Sequence, residues 1–213
     1  MSVIHASELD CERGGRPVFS GLGFTLESGC AVILGGRNGS GKSSLLRLLA
    51  GLLRPAAGRL DWDGTPVFED LSRHAERIHY LGHLDAAKPN LTVAENLAFW
   101  AGLQRGRHAE DALIHFGLDA LEGEPARLLS SGQRRRLALA RLLAAPRELW
   151  LLDEPSVGLD TASRQRLKNA LADHLSAGGM AVIATHQPLE LAGAKALDLD
   201  DHPPRPLDAE LAW

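Results

Sequence analysis

A glycine-rich stretch, GGRNGSGKSS at residues 35–44, constrains this chain more than any other part of its sequence. It follows a short apolar run at residues 31–34 and precedes an amphipathic segment that continues to about Leu53. That order predicts a buried strand, a tight turn and a helix, with Pro55 stopping the helix. Residues 36–43 have the spacing G-x-x-x-x-G-K-S. In such a loop backbone N–H groups surround phosphates, the lysine contacts the β- and γ-phosphates, and the serine ligates Mg²⁺.

The loop therefore predicts a nucleotide site that also holds Mg²⁺. The alternative, a glycine-rich turn with an incidental lysine, does not explain why the loop joins a strand to a helix. Lys42 is assigned to the phosphates and Ser43 to the metal. The other predicted nucleotide-binding residues are Gly36, Arg37, Asn38, Gly39, Ser40, Gly41 and Ser44.

Two carboxylates follow an apolar strand in LWLLDEP, residues 149–155. Ligands of α/β sheets bind at the C-terminal ends of the strands. Asp153 suits a Mg²⁺ ligand and Glu154 a general base that activates water. His186 follows a second apolar run, IAT, and is placed to contact a γ-phosphate. Taken alone, the carboxylates could close a core strand and the histidine could be structural; the phosphate loop favours catalytic roles for Glu154 and His186.

A second predicted anion site begins the segment LLSSGQRRRLALARLL, residues 128–143. Ser130 can cap a helix while Gln133 reaches back to the N–H of Ser130, which is a capping box. The exposed N–H groups and the positive end of the helix dipole favour an anion. The chain thus carries two predicted phosphate sites about ninety residues apart in sequence.

The pattern of elements predicts an α/β fold with a mainly parallel sheet and helices on both faces. Strands are expected at 18–26 and 180–185, and a hairpin at 59–67 with Asp63-Gly64 at its turn. Helices are expected from a Thr92–Glu95 capping box, from about His108 to Gly117, and over about 161–177. The proline-rich tail from about residue 200 is predicted to be loosely ordered.

Composition narrows the class of protein. The 213 residues suit one domain spanning 1–213, and a net charge of −4 gives no support to nucleic-acid binding. Two cysteines, Cys11 and Cys30, predict free thiols in a reduced compartment. No apolar run reaches the roughly 18 residues that span a bilayer, and the N-terminus lacks a signal-peptide core. Membrane contact is therefore expected only through partners.

The order of these motifs resembles that of the ABC-transporter ATPase family over almost the whole chain. The resemblance adds a signature at Leu129, Ser130, Ser131, Gly132 and Gln133, and a D-loop containing Asp160. It implies the ABC-ATPase form of the P-loop NTPase fold, with an N-terminal antiparallel β subdomain and an inserted helical subdomain at about 85–145. It also implies ATP hydrolysis by a head-to-tail homodimer attached to integral membrane permease subunits. The signature would then act on the ATP of the partner chain, which accounts for the second anion site.

Within this family, several segments are similar to the ATP-binding subunits of the cytochrome c maturation system. They include LDCERGGRPVFSGLGFTL (9–26), YLGH (80–83), LTVAENLAFW (91–100) and GGMAVIATHQPL (178–189). This resemblance implies haem export, permease subunits of the CcmB and CcmC type, and the cytoplasmic face of a bacterial inner membrane. Release of a haem-loaded chaperone, or another small ABC exporter, is the alternative.

The sequence departs from the family pattern at four places. His83 stands where a Mg²⁺-sensing glutamine is usual, unless it is only a solvated loop residue, and Arg13 stands near the expected adenine-stacking aromatic. Ser131 replaces a common glycine, and Arg37 replaces the commoner proline of the phosphate loop. The arginines at 134–136 could touch lipid or a partner, but a solvated helix face is the preferred prediction.

Three rival functions fit less of the sequence. A soluble ABC ATPase of DNA repair or translation would be expected to carry a long coiled coil or a second tandem domain, and these 213 residues have neither the length nor the heptads for them. A metabolic kinase would leave the signature, the D-loop and His186 unexplained. A degraded binding module is disfavoured because Lys42, Asp153 and Glu154 are all present.

Overall fold

Strands dominate the first part of the chain, and strands alternate with helices after it. The computed structural model describes residues 2–103, 109–187 and 189–205. Over these residues the strands are β1 (Val3–Arg13), β2 (Arg16–Glu27), β3 (Ala31–Gly35), β4 (Ala57–Trp62), β5 (Thr65–Pro66), β6 (Ile78–Leu81), β7 (Leu149–Asp153), β8 (Met180–Ala184) and β9 (Ala194–Asp198). The helices are α1 (Lys42–Leu49), α2 (Leu71–Ala75), α3 (Val93–Leu103), α4 (Ala109–Phe116), α5 (Ser131–Ala144) and α6 (Thr161–Ser176), and short 3₁₀ turns cover Val67–Glu69, Asp119–Leu121, Ala126–Leu128 and Leu199–Asp201.

A five-stranded parallel sheet in the order β6-β7-β8-β3-β9 forms the centre. Every residue of β7 and β8 is buried, as expected for strands covered on both faces. Alternate residues of β7 belong to two different apolar clusters: Leu151 packs with α1 and the N-terminal strands, and Trp150 packs with α3 to α6. The prediction of a parallel sheet with helices on both faces is confirmed. The edge strand β9 was not predicted.

A second, antiparallel sheet has the order β2-β1-β4-β5 and comes mainly from the N-terminal part. Its β4–β5 hairpin turns at Asp63 and Gly64, which have φ values of 53° and 77°, so the predicted hairpin is confirmed. The predicted extent of α1 to about Leu53 is wrong, because the helix ends at Leu49. Gly51 adopts φ 72°, and this left-handed residue ends the helix before Pro55 can.

The helices α3, α4 and α5 lie between β6 and β7 in the sequence, and they pack against one another. Thr92 Oγ1 accepts from the Glu95 N–H at 3.1 Å, and Glu95 accepts from the Thr92 N–H at 2.8 Å, which confirms that capping box. The predicted start at His108 lies outside the described residues, and α4 runs from Ala109 to Phe116 before Gly117 at φ 62°. None of the helices in the described ranges has the length and apolar character needed to cross a bilayer.

The chain after β9 returns to the phosphate loop. The carboxylate of Asp200 accepts from the Arg37 backbone N–H at 3.1 Å and from its Nε at 3.3 Å. The Arg205 N–H donates to Ser20 Oγ at 3.1 Å. The prediction of a loose tail is therefore wrong for residues 200–205, because specific hydrogen bonds hold them, and residues 206–213 lie outside the described part.

Candidate nucleotide site

A cleft of about 610 Å³ opens where β3, β7 and β8 end. Because parallel strands end at the same edge of a sheet, residues far apart in sequence meet there. The predicted site residues that line the cleft are Asn38, Gly39, Gly41, Lys42, Ser43, Ser44, His83, Asp153, Glu154 and His186. The structure thus places the phosphate loop, both carboxylates and both predicted histidines around one space.

The phosphate loop is folded for anion binding. Lys42 is 8% exposed, and its Nζ donates to the carbonyl oxygens of Gly36 at 2.6 Å and Arg37 at 2.9 Å. Gly41 precedes α1 with φ 107°, and a Cβ there would lie 2.7 Å from Val18 Cγ1, so the loop requires glycine at this position. No side chain caps the N-terminus of α1, which leaves its first N–H groups directed at the cleft.

The two carboxylates lie at the end of β7. Asp153 is the last strand residue and is 7% exposed, and Glu154 follows it in the left-handed conformation with φ 47°. The Glu154 N–H donates to the Ala184 carbonyl at 2.8 Å, which ties this turn to the end of β8. Glu154 Oε1 is buried, lacks a hydrogen-bond partner within the described residues, and lies 3.6 Å from His186 Nε2.

Three lining residues were not predicted, and one of them is Val157 in the turn after β7. Val18 of β2 faces the loop, and Gln187 follows His186. Gln187 Oε1 accepts from Ser156 Oγ at 3.1 Å, which links the turn after β8 to the turn after β7. Its position next to His186 was the signal that could have identified it. Arg13 ends β1 as an exposed residue and is not among the described residues that line the cleft.

The signature residues lie outside this cleft, at the N-terminus of α5. Ser130 Oγ accepts from the Gln133 N–H at 3.2 Å, and Gln133 Oε1 accepts from the Ser130 N–H at 2.7 Å, so the predicted capping box is confirmed. Ser130 and Ser131 are exposed and Leu129 is buried. A Cβ on Gly132 would lie 2.9 Å from the Gly158 carbonyl oxygen, so glycine allows the signature to approach the D-loop.

Asp160 caps α6 beside that contact. Its carboxylate accepts from the Ser163 N–H at 2.7 Å. Hydrogen bonds from Ser163 hold the pKa of the exposed Asp160 below its ordinary value. Asp160 is therefore an ionised group at the surface next to the signature.

The prediction of a solvated arginine face at 134–136 is wrong. Arg135 is 5% exposed and its guanidinium donates to the carbonyl oxygens of Asp153 at 2.9 Å and Glu154 at 2.8 Å. Arg134 and Arg136 are half-buried and donate to backbone carbonyls of other segments. The helix packs on both sides, so its polar positions are used for internal hydrogen bonds.

Comparison with known proteins agrees with this architecture. Residues 19–157 match the family model described as ABC transporter. A protein of Paramagnetospirillum magneticum named cytochrome c biogenesis ATP-binding export protein CcmA is 56% identical over 205 residues, which cover 93% of this chain and 94% of that protein. A Rhodospirillum rubrum protein of the same name is 53% identical, over 96% of this chain and 89% of the relative.

The chain belongs to the ABC transporter family, among its CcmA members. It is accordingly an ABC-type ATPase. An ABC transporter ATP-binding protein of Pyrococcus furiosus has the same fold, with a TM-score of 0.83, 24% identity, and coverage of 94% of this chain and 99% of that chain. The ATP-binding cassette MJ0796, solved as a dimer with ADP and Pi, superposes with a TM-score of 0.76 at 22% identity, covering 86% of this chain and 88% of the other.

Proposed function

We propose that this ATPase powers an exporter of the cytochrome c biogenesis system and that haem is the cargo. The two relatives above, more than 50% identical over most of both chains, are named for cytochrome c biogenesis and export. The observation that carries the ATPase part is the meeting of Lys42, Asp153, Glu154 and His186 in one cleft. The assignment to export and to cytochrome c biogenesis rests on the names of these relatives.

The cleft suits Mg²⁺-dependent hydrolysis of ATP. Among the described residues there is no group of three or more His, Cys, Asp and Glu side chains that could hold a metal alone. Ser43 and Asp153 nonetheless present oxygen ligands of the kind Mg²⁺ prefers, and His83 lines the same cleft. Mg²⁺ usually takes its other ligands from substrate phosphates and water. Bound Mg²⁺ would neutralise charge on the phosphate oxygens.

Glu154 and His186 are assigned the chemical step. The free Oε1 of Glu154 can accept a proton from water as the water oxygen bonds to the γ-phosphorus. The bond between that phosphorus and the bridging oxygen breaks, and ADP leaves with the electron pair. His186, within 3.6 Å of Glu154, can donate to a γ-phosphate oxygen, while Lys42 contacts the β- and γ-phosphates.

A second copy of the chain completes each site in this proposal. The exposed Ser130 and the first N–H groups of α5 form an anion-binding helix end that does not line the chain's own cleft within the described residues. A head-to-tail pair brings each signature to the other chain's ATP and closes as a two-fold dimer. Arg13 is proposed to stack on the adenine in that closed state.

The helical part of the chain is proposed to dock on permease subunits of the CcmB and CcmC type at the cytoplasmic face of the bacterial inner membrane. Leu84, Phe99 and Leu103 are apolar side chains with 81%, 38% and 63% exposure. Such side chains suit an interface with a membrane subunit. ATP-driven closure of the dimer then moves the attached subunits.

Affinity purification of tagged Glu154→Gln from native membranes in ATP tests the proposal. The variant should bind ATP with only a small residual turnover, and should retain a closed dimer together with small polytopic membrane proteins and haem absorbance. Lys42→Ala is the matched control, because it removes the ammonium from the phosphates and should prevent ATP-dependent closure.

A different permease without haem would refute the cytochrome c assignment while leaving the ATPase intact. The absence of any membrane protein would refute the exporter role. Turnover by Glu154→Gln at the wild-type rate would refute the assignment of Glu154 as the base.

A further inference from the structure

A single buried guanidinium joins three parts of the protein. Arg135 lies two residues after the signature on α5, and only 6% of its side chain is exposed. Its Nη2 donates to the carbonyl oxygens of Asp153 at 2.9 Å and Glu154 at 2.8 Å, and its Nε donates to that of Pro155 at 3.3 Å. One side chain therefore binds three consecutive carbonyls of the turn that carries the catalytic carboxylates.

The other side of the guanidinium faces the loop that carries His83. Nη1 donates to the Gly82 carbonyl at 3.3 Å and to Asp85 Oδ1 at 3.0 Å. Arg135 thus contacts residues on both sides of His83 without contacting the cleft itself. A planar guanidinium with five donors suits this arrangement better than any other side chain.

The turn that Arg135 holds is conformationally costly. Glu154 is not a glycine, yet its φ of 47° places it in the left-handed region. Such a residue persists only where its surroundings fix it. Backbone hydrogen bonds do so: the Glu154 N–H donates to the Ala184 carbonyl, and the Glu154 carbonyl accepts from Arg135 at 2.8 Å and from the Val157 N–H at 3.3 Å. The Glu154 carboxylate also accepts from the His186 N–H at 3.4 Å, through Oε2.

We propose that Arg135 is a positioning residue that sets the direction of the Glu154 carboxylate and couples it to the signature helix. The inference rests on the proposed roles of Glu154 as base and of the signature as a contact for the partner's ATP. When α5 engages that ATP, the same helix carries the guanidinium that fixes the catalytic turn and the His83 loop. Hydrolysis of the ATP in this chain's own cleft then depends on whether this chain's signature has bound the ATP of the partner chain.

The test compares Arg135→Gln, Arg135→Lys and Arg136→Gln in the full-length chain. Arg136 is a matched control, because it lies on the same helix and also donates to two carbonyls, those of Phe116 and Gly117, away from the catalytic turn. Arg135→Gln should lower kcat by about tenfold or more, the scale of a lost general-base alignment, with KM for ATP within about twofold. Arg135→Lys keeps the charge and some donors, so it should recover part of kcat.

A double-variant cycle separates positioning from a general structural role. If Arg135 acts through Glu154, then Arg135→Gln should cause no further loss of kcat in the Glu154→Gln background. If Arg135 has a merely structural role, the kcat losses of Arg135→Gln and Glu154→Gln should multiply in the double variant. Arg136→Gln should then lower kcat as much as Arg135→Gln does. Melting temperatures of all variants are measured in parallel.

Wild-type kcat in Arg135→Gln, equal losses from Arg135→Gln and Arg136→Gln, or multiplied losses in the cycle would overturn the inference. If Arg135→Gln does not fold, the test uses Arg135→Lys instead. A wild-type kcat in Arg135→Lys would then overturn the inference. A wild-type chain without any ATP hydrolysis would instead overturn the proposed function, which distinguishes the two failures.

Discussion

Replacement of His79 should change the pH dependence of stability. His79 lies on β6, is 3% exposed, and its Nε2 donates to the Ala145 carbonyl at 2.6 Å as the neutral ring. Burial is the main cause that lowers the pKa of His79 to about 3; the hydrogen bond to Ala145 opposes it, and the nearby groups Arg141, Arg147 and His174 add to it. The unfolded chain has an ordinary histidine with a pKa of about 6.5.

The sign of the effect follows from proton binding. Between about pH 6.5 and 3 the unfolded chain binds a proton at this position that the folded chain does not, so the free energy of unfolding falls as the pH falls. The loss is about 1.4 kcal/mol for each pH unit below about 6.5. From about pH 7.5 to pH 5 it amounts to about 2 kcal/mol from His79 alone.

Urea unfolding followed by tryptophan fluorescence at about these two pH values measures the effect. His79→Gln should be less stable than wild type at pH 7.5, because it loses ring packing, but its pH dependence should be weaker by about 2 kcal/mol. Burial also lowers the pKa values of His74 and His174, and both contribute to wild type and variant alike, so they largely cancel in the comparison. Equal pH dependence in the two proteins would refute the assignment of a buried neutral ring.

Local signals in the sequence were sufficient for much of the site. The phosphate loop and both capping boxes involve residues within a few positions of one another, so their spacing alone determines the geometry. The meeting of Glu154 and His186 was also predictable, because each follows an apolar strand and parallel strands end at one edge.

The elements that were missed lack such local signals. The edge strand β9 has the sequence AKALD and is mostly exposed, so it shows neither the apolar run nor the alternation of a buried strand. The end of α1 was misplaced because Pro55 is a strong stop signal, whereas Gly51 ends the helix only by adopting a left-handed conformation.

Arg135 was missed for a different reason. Three consecutive arginines indicate a solvated face by composition, but Arg135 lies four residues before the buried Leu139 and therefore on the same side of α5. Helical periodicity could have placed it inside. Its five acceptors could not have been found, because they come from loops 50 residues before it and 20 after it in sequence.

Two further predictions separate the roles of polar residues around the site. Ser130→Ala removes the acceptor for the Gln133 N–H and should cost about 1 kcal/mol in urea unfolding, while Ser130→Thr keeps the cap. If both variants unfold at the wild-type urea concentration, the capping box contributes nothing measurable. His83 lines the cleft, where a ring N–H can donate to a phosphate oxygen of bound ATP, so His83→Ala should raise KM for ATP above the wild-type value. An unchanged KM would mean that the His83 ring does not contact bound nucleotide.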